Sequence, residues 1–183
     1  MLVPVRRIVT GHDDKGRSIV VSDDVSPHQK ENPVQPNRGL TDIWRTFSYP
    51  PTNHGNDDAA ATEVVLNPPA NGTVFRFFQI PPEAASEGMS WEERQAQHNK
   101  VFEGMGAGHN RDPGARHPGM HKTETVDYII LLQGEVTLLL DEGEIDMKPM
   151  DVVVQRGTNH AWANRGSEPA VLAGVLMDAV PYP

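Results

Sequence analysis

Cysteine is absent from the 183 residues. That removes disulfides, zinc-thiolate centres, iron-sulfur clusters and thiol nucleophiles together. Any metal would have to sit on His, Asp, Glu, Asn or water. Positive charge is also scarce: 16 Lys and Arg against 25 Asp and Glu leave a net charge of -9. That balance argues against a phosphate backbone or an anionic membrane as partner. No run approaches the roughly 18 apolar residues of a membrane span, and the N-terminus becomes charged at Arg6, too early for a signal peptide. A cytoplasmic protein with no nucleic-acid and no membrane partner is the expectation. No internal repeat is visible.

Present instead are 16 Gly and 16 Pro, scattered between short apolar runs in the way of an all-β chain. Residues 5–10 and 17–22 read as a hairpin around the turn from Gly11 to Gly16. The stretch from Ser22 to Gly39 is polar and proline-rich, and reads as a surface loop. Strands are expected around Ile43 to Phe47 and from Thr73 onward, where three Phe fall in four positions. Ser90 followed by Glu93 is a capping box that starts a helix. Trp91, His98, Val101, Phe102 and Met105 share one face of it, and Gly104, Gly106 and Gly108 end it. From His121 onward five or six strands follow, with turn signals about every 8 to 12 residues, the texture of a sandwich or barrel. The reading is one domain, 1–183: N-terminal strands and polar loops over 1–88, a helix over 89–106, the core over 107–178 and a tail over 179–183.

Side chains two apart on a strand share a face. An extended His121 to Asp127 therefore projects His121, Thr123, Thr125 and Asp127 together, and His160, Trp162 and Asn164 form a second such row. Polar rows on strands rich in Val, Ile and Leu are costly unless they line a wet cavity or hold a ligand.

These residues resemble the cupin superfamily of small jelly-roll barrels. Its first motif is His-x-His, three or four residues, Glu, six residues, Gly; this chain has His121, Thr123, Asp127 and Gly134 at that spacing. Its second is Pro-x-Gly, two residues, His, three residues, Asn; this chain has Gln155, Gly157, His160 and Asn164. The resemblance implies an all-β fold, a single cupin-type jelly-roll barrel, to which the residues read above add an N-terminal β extension and one helix. It also implies a homodimer, and a divalent ion (Fe, Mn, Zn or Ni) on His121, Asp127 and His160. Thr123 stands where the family has its second His, and Asp127 is one methylene shorter than Glu, so a site without metal is equally compatible. His117 is a candidate for the missing ligand. Met150 stands where cupins often carry Gly, which implies an altered turn.

His121, Asp127 and His160 are the candidate catalytic residues, since a carboxylate beside two imidazoles is a general acid/base set. Thr123, Thr125, Tyr128, Trp162 and Asn164 are the candidate substrate-binding residues. Lyase or isomerase chemistry on a small polar carbonyl compound or organic acid is the favoured activity. A metal-dependent dioxygenase and a non-catalytic small-ligand-binding cupin are the alternatives. Each residue also has a plain structural reading: the histidines as satisfied polar groups of a barrel without metal, Asp127 as a partner of a turn, Tyr128 and Trp162 as aromatic anchors.

Overall fold

The computed structural model describes residues 1–112 and 114–182. Pro113, in the connector after the helix, and Pro183, the last residue of the tail, lie outside them.

Two strands, β1 (Arg6–His12) and β2 (Ser18–Val25), form the expected hairpin. Its turn is closed by Asp13, whose carboxylate accepts from the backbone N–H groups of Lys15 and Arg17. Next come β3 (Gln29–Glu31), β4 (Gly39–Thr46) and β5 (Thr73–Ile80). The capping box is present in full, with Ser90 accepting from the Glu93 N–H and Glu93 from the Ser90 N–H, and it opens α1 (Trp91–Gly104). His98, Val101 and Phe102 are buried on this helix as expected, whereas Trp91 at its first turn is exposed. Six strands then follow: β6 (Thr125–Gln133), β7 (Val136–Leu140), β8 (Glu144–Met147), β9 (Val152–Arg156), β10 (His160–Ala163) and β11 (Ala170–Asp178).

The strands make a six-stranded sheet in the order β3-β4-β5-β11-β6-β9, a three-stranded sheet β10-β7-β8, and the separate β1-β2 hairpin. Among the described residues the strand pairings within them are antiparallel. The two larger sheets face each other across a core that joins Ile80, Ile129, Leu131 and Leu172 to Val136, Leu138 and Met147. This is a jelly-roll-like all-β fold whose sheets are not hydrogen-bonded into a closed barrel. Among the described residues no helix is long and apolar enough to cross a membrane.

Two motif glycines have a backbone reason. Gly134, between β6 and β7, has φ 80°, and a Cβ there would lie 2.9 Å from the Ala170 backbone. Gly157, after β9, has φ 57°. Both sit in the left-handed region that disfavours a side chain. Met150 also sits there, at φ 79°.

The polar stretch from Ser22 to Gly39 is not a loop lying free on the surface. Lys30 in β3 pairs with Leu40 in β4. The turn after β3 is tied by Asn32, whose Oδ1 accepts from the N–H groups of Val34 and Gln35. Asn32 and Gln35 are buried, and this segment forms part of the wall of the cavity described next.

Candidate active site

The first row of polar residues is positioned by a short bridge. His121 precedes β6, and its N–H donates to the His160 carbonyl while the His160 N–H donates back, both at 2.9 Å. The two imidazoles consequently lie with centroids 4.3 Å apart. Each Nδ1 meets a backbone carbonyl, His121 with Gly119 at 3.0 Å and His160 with Thr158 at 2.9 Å. A carbonyl can only accept, so Nδ1 carries the proton in both rings and Nε2 keeps its lone pair. Burial drives the His160 pKa down to about 4. It drives His121 well below the ordinary histidine value, with the His160 charge adding to the effect and the Gly119 carbonyl opposing it. Both rings are neutral near pH 7.

Both histidines line one cavity together with Thr123, Asp127 and Trp162, a space of about 910 Å³ that is partly open to solvent. Asp127 is buried, and its Oδ1 has no hydrogen-bond partner among the described residues. Burial raises its pKa to about 6, with the Thr125 hydroxyl and the Arg76 charge pulling the other way. The Thr123 and Thr125 hydroxyls bond each other at 2.7 Å. Trp162 packs edge-on to His160, centroids 5.7 Å apart.

Three residues expected at the substrate lie elsewhere. Tyr128 follows inward-facing Asp127 on a strand, so alternation turns it outward, and it is 51% exposed. Thr125 is buried but is not part of the cavity wall. Asn164 is fully buried and spent on the backbone: Nδ2 donates to the Ile80 and Glu168 carbonyls, and Oδ1 accepts from the Gly166 N–H. It fastens β5 to the turn before β11.

Two arginines in the wall went unnoticed in the sequence. Arg76 on β5 is buried beside Asp42 of β4, with Nε 2.9 Å from Oδ1, while Arg45 holds Oδ2 at 2.7 Å. A register shift between Asp42 and Trp44 is a bulge that turns Asp42 and Arg45, three apart, to the same side. Arg38 enters from the turn before β4; its Nε is buried without a partner among the described residues. An inward Arg on β5 follows from alternation between Val74 and Phe78, but no local pattern marks Arg38.

Residues 110–177 match the family model for the cupin domain. This segment is a cupin domain. Over 182 residues the chain is 28% identical to the cupin-domain-containing oxidoreductase fogC of Aspergillus ruber, covering 95% of this chain and 72% of that protein. It is 57% identical over 47 residues to the phomopsin biosynthesis cluster protein C' of Diaporthe leptostromiformis, a match spanning only 25% of either chain. Among solved structures, a cupin 2 conserved barrel domain protein from Salinispora arenicola aligns over 81% of this chain and 82% of its own, with 13% identity and a TM-score of 0.42.

Cupins commonly hold a metal, and the donor types for one are here: two Nε2 lone pairs and an orphaned carboxylate oxygen. Their placement does not fit. Among the described residues no three His, Asp or Glu side chains gather closely enough to hold one ion, and Thr123 occupies the position of the second motif histidine. His117 does not supply the missing ligand. Its Nε2 bonds Glu83 at 2.7 Å and its ring lines a neighbouring cavity with His98.

Proposed function

We propose that this cupin is an enzyme of small-molecule metabolism that moves a proton next to a carbonyl group, as in isomerisation, tautomerisation or dehydration. The observation that carries the reading is one cavity containing a carboxylate oxygen and two neutral imidazoles whose Nε2 atoms have, among the described residues, no hydrogen-bond partner. A base works best with a pKa near the working pH, and Asp127, at about 6, suits that role. Asp127 takes the proton from carbon, the electron pair passes to the carbonyl oxygen as an enolate, and the now-protonated Asp127 returns that proton to the new position, while the Nε2 lone pairs of His121 and His160 accept hydrogen bonds from a substrate hydroxyl. Thr123 and Trp162 bound the substrate. Tyr128, Thr125 and Asn164 have no part in this scheme.

The test is proton exchange. Wild-type protein in D₂O, given a panel of carbonyl acids with an exchangeable α-hydrogen, should wash deuterium into at least one of them, followed by proton NMR. Asp127→Asn and His160→Gln should slow the exchange by about 10²-fold or more. Absence of exchange across the panel, or exchange indifferent to both substitutions, would overturn the reading.

A second reading, oxidoreductase chemistry, draws support from the names of the fogC relative and of virC of Hypocrea virens, 25% identical over 182 residues. The same panel, assayed for oxidised products and oxygen uptake with added iron or manganese, tests it. A non-catalytic ligand-binding role would show as binding without turnover in both assays.

The proposed partner is a second copy of the chain. β9 is an edge of the six-stranded sheet, and beside it Tyr128 pairs with Val154 and Ile130 with Val152 on the outward face. Tyr128, Val152 and Val154 are all exposed, an apolar edge that soluble proteins generally cover. Light scattering should give twice the chain mass, and Val154→Asp should halve it.

A further inference from the structure

Arg38 makes no close ion pair with any acid among the described residues. Its side chain lines the cavity of His121 and His160. Its Nε is buried without a partner among the described residues. Arg45 and Arg76 share Asp42, and Arg76 also donates to the carbonyls of Val65 and Leu66; Arg94 and Arg111 likewise have a buried Nε without a partner among the described residues, but neither lines this cavity. Lys30, at the cavity wall, donates to the Val64 carbonyl and faces Glu63 at 3.6 Å. Glu31 faces the N-terminal ammonium at 3.1 Å. Glu83 is an acid whose charge reaches Arg38, yet its carboxylate is bonded to His117.

The cavity wall holds three cationic side chains, Lys30, Arg38 and Arg76, against two acidic ones, Glu31 and Asp127. A half-buried guanidinium whose Nε is shielded from water and unpaired is unfavourable, and an incoming anion supplies what is missing. A guanidinium fork suits a carboxylate in particular. The Nε2 lone pairs of His121 and His160 repel such a head group, which leaves Arg38 as its place. The rest of the wall is largely apolar, with Leu40, Phe78, Phe102 and Ile129 among its residues.

We infer that the cavity takes an amphiphilic monocarboxylate, its carboxylate held by Arg38 and its apolar body lying against Leu40, Phe78, Phe102 and Ile129. Arg38 thereby determines specificity for an acid over its neutral counterpart. The inference rests on this cavity being the reaction site proposed above, and the two can fail separately.

The experiment is calorimetry on the full chain at pH 7.5 with 4-phenylbutanoate and its neutral isostere 4-phenylbutanamide. Wild type should bind the acid at least about tenfold more tightly than the amide. Arg38→Met should erase that gap by weakening the acid alone, and Arg38→Lys should retain part of it. Equal affinity for acid and amide in wild type, binding of neither at millimolar concentration, or a gap that survives in Arg38→Met would overturn the inference. The wild-type ratio decides the matter even if Arg38→Met does not fold. Discrimination without deuterium exchange in the proton-transfer assay would keep Arg38 as the acid receptor and sink only the proposed chemistry; exchange without discrimination would do the reverse.

Discussion

His121 and His160 exchange both backbone hydrogen bonds at 2.9 Å and bring their imidazole centroids within 4.3 Å. One contact thus fixes the segment before β6 against β10 and sets the spacing of the two catalytic candidates. Folding and site geometry depend on the same pair.

That coupling gives stability a pH dependence. Both histidines have pKa values depressed by burial, His160 to about 4. A depressed group stabilises the fold above its unfolded value, near 6.5, and that contribution is lost as pH falls through the folded value. Asp127 acts oppositely: its pKa is raised to about 6, so its contribution is present below about 4 and is lost as pH climbs through 6. Two histidines outweigh one carboxyl. Urea midpoints should therefore rise from pH 4 to pH 6.5, and His160→Gln should flatten the rise. A midpoint that falls over that interval would refute the balance.

Asp42 is the hinge of the second buried network. It is fully buried, with Arg45 and Arg76 on opposite oxygens. Asp42→Asn keeps the shape but leaves two guanidinium groups without their shared counter-charge, a loss of about 3–5 kcal/mol. Urea unfolding measures it directly. A loss below about 1 kcal/mol would mean that the carbonyls of Val65 and Leu66 suffice for the arginines.

Much of the architecture was legible because glycine and alternation leave local marks. Gly134 and Gly157 stand where the backbone turns left-handed, and the cupin spacing of His121, Asp127 and His160 places all three at one cavity. The start of the helix was legible from Ser90 and Glu93. The residues outside the cavity wall are instructive. Tyr128 neighbours Asp127 on a strand, so the two cannot share a face, and alternation already forbade placing both at the substrate. Asn164 is two residues beyond Trp162, but β10 ends at Ala163, and the rule of twos ends with it. Arg38 was illegible for a different reason. It sits among Pro, Asn, Gln and Glu, a composition that reads as solvated, and only the long-range packing of β3 and its turn folds that segment over the cavity.

Thr123 tests whether the cupin motif can be restored. It lines the cavity beside His121, and Thr123→His would add a second imidazole to that wall. Manganese or zinc titrated by calorimetry should bind about tenfold more tightly to the variant than to wild type. Unchanged affinity would show that Asp127 is too far from the histidines for a single ion to span them.

Met150 precedes Asp151 in the turn between β8 and β9, where its φ of 79° puts a side chain in the left-handed region. The turn requires that angle, because the Met150 N–H donates to the Leu131 carbonyl at 2.8 Å and the Asp151 N–H to Lys148 at 3.0 Å. Its side chain is 77% exposed, so little packing is lost by removing it. A left-handed residue with a Cβ costs about 1–2 kcal/mol, partly offset by the larger unfolded-state entropy of glycine. Met150→Gly should therefore stabilise the protein by about 0.5–1 kcal/mol, read as a higher urea midpoint with an unchanged slope. A lower midpoint would show that the methionine side chain makes contacts worth more than the strain, and an exposed position next to an apolar sheet edge would then have to be covered by the partner subunit.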